Sequence, residues 1–135
     1  MVQFEVNESL PHFTILGTFP SFNEYQSACR RNPYVGNSMK KKCMRRAEEA
    51  IAFSPVYRYR PQKALVVHFV YYESNKRRDK DNIDSMCRKV VFDALQECGV
   101  IENDGWKQID NYTHDFYVDA SDPRIEVYLE EVENG

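Results

Sequence analysis

Asp79 and Asp81 stand two residues apart in the run Lys76-Arg77-Arg78-Asp79-Lys80-Asp81-Asn82, and Asp104 follows in the loop Glu102-Asn103-Asp104-Gly105. On extended backbone the first two carboxylates point to the same side, about 6.5–7 Å apart along the chain. Flexible carboxylates at that spacing can converge on one hard cation. Magnesium suits such a set, because it takes oxygen ligands at about 2.0–2.1 Å and keeps waters for reaction. A cation held this way polarises a phosphate, lowers the pKa of its bound water and offsets charge on a leaving oxygen. Asp104 completes a three-carboxylate set if the strands flanking the intervening helix are neighbours. Each residue also has a plainer reading. Asp79, Asp81 or Asn82 can cap a helix, and Asp104-Gly105 is a common turn pair.

Bare carboxylates repel phosphate, so a nuclease also needs a basic rim, and nucleic-acid backbones are held largely by Lys and Arg. The formal net charge is -3, with 18 Lys+Arg against 21 Asp+Glu. The sum hides a bunched distribution. Lys40, Lys41, Lys42, Arg45 and Arg46 form one group, and Arg58, Arg60 and Lys63 a second. Lys76, Arg77, Arg78 and Lys80 form a third, with Arg88 and Lys89 beyond, while residues 126–133 are acidic. Lys41, Arg45, Lys76, Arg77, Arg78 and Arg88 are the expected DNA contacts.

These residues need elements to position them. Residues 82–98 carry the clearest pattern: Ile83, Met86, Cys87, Val90, Val91, Ala94, Leu95 and Cys98 recur as on a core-facing helix, with Gly99 where a left-handed helix end is expected. Residues 64–72 read as a buried strand rich in β-branched and aromatic side chains. Residues 13–19 read as a short strand ended by Pro20, after an alternating stretch at Val2, Phe4 and Val6. Residues 20–25 are turn-like, Pro33 and Gly36 mark a loop, and Asn37 or Ser38 is expected to cap a helix running to about Phe53. Residues 107–118 and 124–130 read as strands, the latter alternating Ile125, Val127 and Leu129 inward. The order β, α, β, α, β, β predicts an α+β domain: a small mixed sheet with two main helices, one domain over 1–135.

The ordered motifs resemble the RusA family of Holliday-junction resolvases. They are Arg77-Arg78-Asp79-Lys80-Asp81-Asn82, then Asp93-Ala94-Leu95, then Gly99-Val100 with the acidic loop at Asp104, and upstream Pro20-Ser21-Phe22-Asn23-Glu24-Tyr25. The resemblance covers most of the chain, from about Phe13 to Leu129. It implies a homodimer that makes paired nicks in four-way DNA junctions with Mg2+, or Mn2+ as substitute. Carried over by position, Asp79, Asp81 and Asp104 correspond to the metal-binding carboxylates, with Asn82 in support. Ser85 stands where the family usually has Lys, and the gap from Asp81 to Asp93 is about a helical turn longer. Counting back from Asp93 places Lys89, or Arg88 beside it, as the replacement cation, so Lys89 is carried as a catalytic candidate. Asn103 replaces an acid often found in the loop. A non-catalytic nucleic-acid-binding protein of the same fold is the alternative.

Other residues give less. Cys29, Cys43, Cys87 and Cys98 form no CxxC pair and read as structural thiols. His68 lies in the core-strand pattern and reads as structural, and His114 alternates within a late strand. Trp106 reads either as a stacking wedge for DNA or as cover for a core or dimer surface. Phe92, on an otherwise polar helix face, hints at a dimer contact. No signal peptide or apolar run of bilayer length is apparent, so a soluble cytoplasmic protein without membrane partners is expected.

Overall fold

The computed structural model describes residues 2–133. In chain order it forms β1 (His12–Leu16), α1 (Phe22–Arg31), α2 (Pro33–Ala52), a 3-10 turn (Pro55–Arg58), β2 (Leu65–Glu73), α3 (Lys80–Glu97), β3 (Ile109–Val118) and β4 (Arg124–Glu131). The four strands make one mixed sheet in the order β1-β4-β2-β3. β2 and β3 are parallel, while β4 runs antiparallel to both β1 and β2. The α+β class is as expected, but three helices are present where two were foreseen.

The extra helix is α1. Ser21 caps it by accepting from the Glu24 N–H, and Glu24 returns a bond to the Ser21 N–H, a reciprocal capping box. The stretch that read as a turn is therefore a helix start. α2 also begins earlier than expected. Asn32 accepts from the Tyr34 N–H at 2.8 Å and Pro33 occupies the first turn, where its missing N–H costs nothing. Gly36 is then inside the helix rather than in a loop, and it is buried where α2 meets Cys29 of α1.

Strand alternation sends Leu65, Val67, Phe69 and Tyr71 of β2 and Ile125, Val127 and Leu129 of β4 into one buried cluster. α3 meets them with Ile83, Met86, Cys87, Val90, Val91, Ala94 and Leu95, and α2 adds Cys43, Ala47 and Ile51. Each large side chain buried here contributes roughly 1.5–3 kcal/mol as an upper estimate, so α3 is firmly seated. Gly99 ends α3 with φ 75°, the left-handed conformation that glycine adopts without strain. Phe92 is not a free surface residue. It packs on Phe69 and Tyr112, with ring centroids 5.9 and 6.4 Å away.

The opposite sheet face is partly covered by the N-terminal arm. Both Asp115 carboxylate oxygens accept from arm amides, Gln3 N–H at 2.8 Å and Phe4 N–H at 2.9 Å. The Phe4 ring stacks on His68 at 3.8 Å. His68 is buried and bonded to Thr113 and Glu130, the structural role its position implied.

Candidate functional site

The start of α3 gathers the residues of greatest chemical interest. β2 ends at Glu73, and the chain turns through the exposed Lys76 and Arg77 into Asp79, the N-cap of α3. Asp79 accepts from the Asn82 backbone N–H at 3.3 Å and from its side-chain amide at 3.1 Å. Asp81 lies in the first helical turn and is exposed. The expected extended geometry is thus corrected. Only Asp79 is extended, Asp81 is already helical, and the Asp79 carboxylate is turned back onto the helix as its cap.

Asp104 lies elsewhere. β2 and β3 are neighbours, as the three-carboxylate reading required, but they are parallel, so α3 must run back along the sheet between them. The loop into α3 and the loop out of it then open at opposite ends of the sheet. The 18 residues of α3 separate them by about 27 Å at 1.5 Å per residue. Among the described residues no three Asp, Glu, His or Cys side chains come close enough to hold a metal ion. Within one chain, then, Asp79, Asp81 and Asp104 do not fit a shared cation. Lys89 is exposed and eight residues beyond Asp81, about 12 Å along the helix, so the structure does not bring it to the carboxylates either.

The expected basic contacts divide into two kinds. Lys41 and Arg45 on α2 and Lys76 and Arg77 before α3 are exposed. Arg78 is committed to the fold: its Nε and Nη2 reach the two Glu73 carboxylate oxygens at 3.0 Å each, and its Nη1 donates to the Phe19 carbonyl at 2.6 Å. That fork ties the end of β2 to the segment before α1. Arg88 pairs with Asp84 one turn back, and its guanidinium lies 4.3 Å over the Tyr112 ring.

The sequence pattern did not single out Asp84, which is 1% exposed at the junction of α3, β2 and β3. Tyr71 donates to its Oδ1 at 2.7 Å, while Arg88 and His114 Nδ1 meet its Oδ2, the latter at 3.1 Å. A buried carboxylate survives only when paired and hydrogen-bonded. Burial, and then the nearness of the Cys87 thiol and the Asp84 carboxylate, push the Tyr71 phenol well above its ordinary pKa. A signal was available: Asp84 lies on the stripe shared with Cys87 and Val91, with Arg88 at i+4. Trp106 is 92% exposed, so it covers no core within the chain.

No protein-family model matches the chain, and a search of curated proteins finds no match. No helix among the described residues is long and apolar enough to cross a membrane. The four cysteines are free thiols.

Proposed function

We propose that the chain is a metal-dependent endonuclease of branched DNA that works as a homodimer, the activity implied by its resemblance to RusA-like resolvases. The supporting observation is the start of α3, where the exposed Lys76, Arg77 and Lys80 lead in the chain to the exposed Asp81. Cation and carboxylate together are what a phosphodiester substrate requires. One chain does not assemble a cation site, so the reading needs a second copy. A two-fold axis crossing α3 at its middle exchanges the two ends of the helix. Asp104 of the second copy then lies toward Asp79 and Asp81 of the first, and the dimer carries two such composite sites.

Complementation on a synthetic four-way junction with Mg2+ tests this directly. Asp81→Asn and Asp104→Asn homodimers are each inactive. Mixed and re-equilibrated, half the dimers are mixed ones, and each regains one intact site, so nicking returns to about a quarter of the wild-type rate. Two inactive homodimers that stay inactive when mixed refute the composite site. A second reading has its own support in the engagement of Asp79 as a helix cap: a DNA-binding protein without cleavage. Junction binding with no nicking under Mg2+ or Mn2+ favours it.

A further inference from the structure

His114, Lys80 and Arg88 form a second feature beside the α3 start, along the outer strand of the sheet. Tyr112, His114 and Phe116 project from the same face of β3, with ring centroids 6.3 and 5.7 Å apart in succession. Lys80 Nζ lies 5.6 Å from the Phe116 centroid, and Arg88 lies over Tyr112. The two cations therefore flank the imidazole, one at each end of the row. Lys80 and His114 share a cleft of about 240 Å³ whose wall includes Gln3, Asp115, Phe116 and Tyr117. The His114 side chain is 40% exposed.

The tautomer follows from Asp84. An ionised carboxylate only accepts, so it fixes the proton of His114 on Nδ1. Nε2 has no hydrogen-bond partner among the described residues. We propose that this cleft is a phosphodiester-binding subsite in which the imidazolium form of His114, positioned by Asp84 through Nδ1, donates from Nε2 to a phosphate oxygen with Lys80 beside it. The charges facing the imidazole support this. From α3 come Asp84, Lys80 and Arg88, one carboxylate against two cations; Asp115, the next residue of β3, turns to the opposite sheet face, where arm amides hold both its oxygens. β2 contributes the neutral Tyr71. The excess of cation over carboxylate gives the cleft the positive charge an anion needs.

The proposal adds a phosphate contact to the DNA-binding reading and rests on it for its biological ligand. Its test does not. Dimethyl phosphate is a minimal phosphodiester with one negative charge, so it probes the cleft without the rest of a nucleic acid. The side-chain nitrogen resonances of His12, His68 and His114 are followed by NMR during titration with dimethyl phosphate, against sodium chloride of equal ionic strength. Saturable movement of His114 alone is expected. Lys80→Gln, at an exposed position, weakens it severalfold without disturbing the fold. A His114 signal that moves no more than that of His12, or affinity unchanged in Lys80→Gln, overturns the subsite. A parallel titration with junction DNA separates the two ideas. DNA binding with His114 unmoved keeps the DNA reading and removes the subsite. Response to dimethyl phosphate without DNA binding does the reverse.

Discussion

The Tyr71 hydroxyl donates to Asp84 Oδ1 at 2.7 Å inside the seam between β2 and α3, and this bond joins the most apolar strand to the most apolar helix. Asp84 also receives Arg88 and His114, so removing it strands three donors at once. Asp84→Ala is expected to cost about 3–5 kcal/mol of unfolding free energy, the range for breaking a buried pair from one side. Tyr71→Phe leaves the other two donors in place and costs about 1–2 kcal/mol. Urea unfolding of the two variants checks the ranking, and equal losses would contradict it.

The same bond gives an alkaline signature. The Tyr71 pKa is raised in the folded protein, chiefly by burial. A raised value means that folding favours the protonated phenol. The associated stability is fully present below the ordinary phenol pKa of about 10 and is lost as pH rises above it. Tyr59 and Tyr128 shift in the same direction, by burial and by their carboxylate partners Glu131 and Glu126. Wild-type stability should therefore fall between about pH 10 and 12, and less steeply in Tyr71→Phe. Parallel slopes would show that Tyr71 contributes nothing to the alkaline transition.

Arginines and lysines around the α3 start separate by what holds them. Arg78 grips both oxygens of Glu73, which is buried, together with the Phe19 carbonyl. Lys76 and Arg77 are exposed. Arg78→Ala is expected to destabilise by about 2–4 kcal/mol, since it leaves a largely buried carboxylate without its cation. Lys76→Ala and Arg77→Ala are expected to change stability by less than about 0.5 kcal/mol. On the proposed function, each of those two weakens DNA binding and lowers the salt slope by about one. Thermal melts and salt-dependent binding to a four-way junction distinguish the roles.

Much of this arrangement could be read from residue pattern, and the exceptions have physical causes. α3 and β4 declare themselves because their apolar residues recur at periods of 3.6 and 2, and β2 by its run of β-branched and aromatic side chains. α1 does not. Its 10 residues bury only Ala28, so there is little apolar periodicity, and its signal was the Ser21-x-x-Glu24 capping pair. Pro33 read as a breaker because a proline ending a loop and a proline opening a helix look alike until Asn32 is seen to cap the turn. The candidate site was harder still. Neighbouring strands were the stated condition for Asp104 to join Asp79, and they are neighbours. What the pattern did not convey was that parallel pairing through one helix sends the two loops to opposite ends. Asp84 was overlooked because a single acid on an apolar stripe looks like interruption rather than content. Arg88 stands one turn away on the same helix, but Tyr71 and His114 come from β2 and β3, which no local pattern announces.

Acid should loosen a different seam. Glu131 holds the Tyr59 hydroxyl and the Gln62 and Lys63 amides, tying the segment before β2 to the end of β4. Those bonds, led by the Tyr59 hydroxyl, place the Glu131 pKa below its usual 4.5. Asp119 is held below its usual 3.8, first by Ser121 and then by Arg124. Lowered carboxylate values mean stability that is present above the ordinary pKa and lost as pH falls through the folded one. Stability should therefore decline below about pH 4.5, with Glu131→Gln showing a shallower decline. Because both groups are partly exposed, the effect is modest and screened by salt. An acid transition identical in Glu131→Gln would remove this tether from the account.

Gly36 gives a prediction whose sign alone is informative. Gly→Ala inside a helix ordinarily stabilises by up to about 1 kcal/mol, because alanine loses less backbone entropy. Gly36 sits within α2 with negative φ, so propensity alone favours the exchange. An added Cβ, however, would meet Cys29 of α1, its Sγ inside van der Waals distance and its Cα at 3.1 Å. The Sγ can rotate or be removed, but the Cα belongs to the backbone of a neighbouring helix and yields only if α1 shifts. Gly36→Ala is therefore expected to destabilise by about 1–3 kcal/mol, the usual cost of overpacking. Adding Cys29→Ala should recover part of that loss and not all, since the new methyl still presses on the α1 backbone. Chemical denaturation of the single and double variants measures both. A Gly36→Ala protein more stable than wild type would mean that α1 and α2 are not packed this closely in solution.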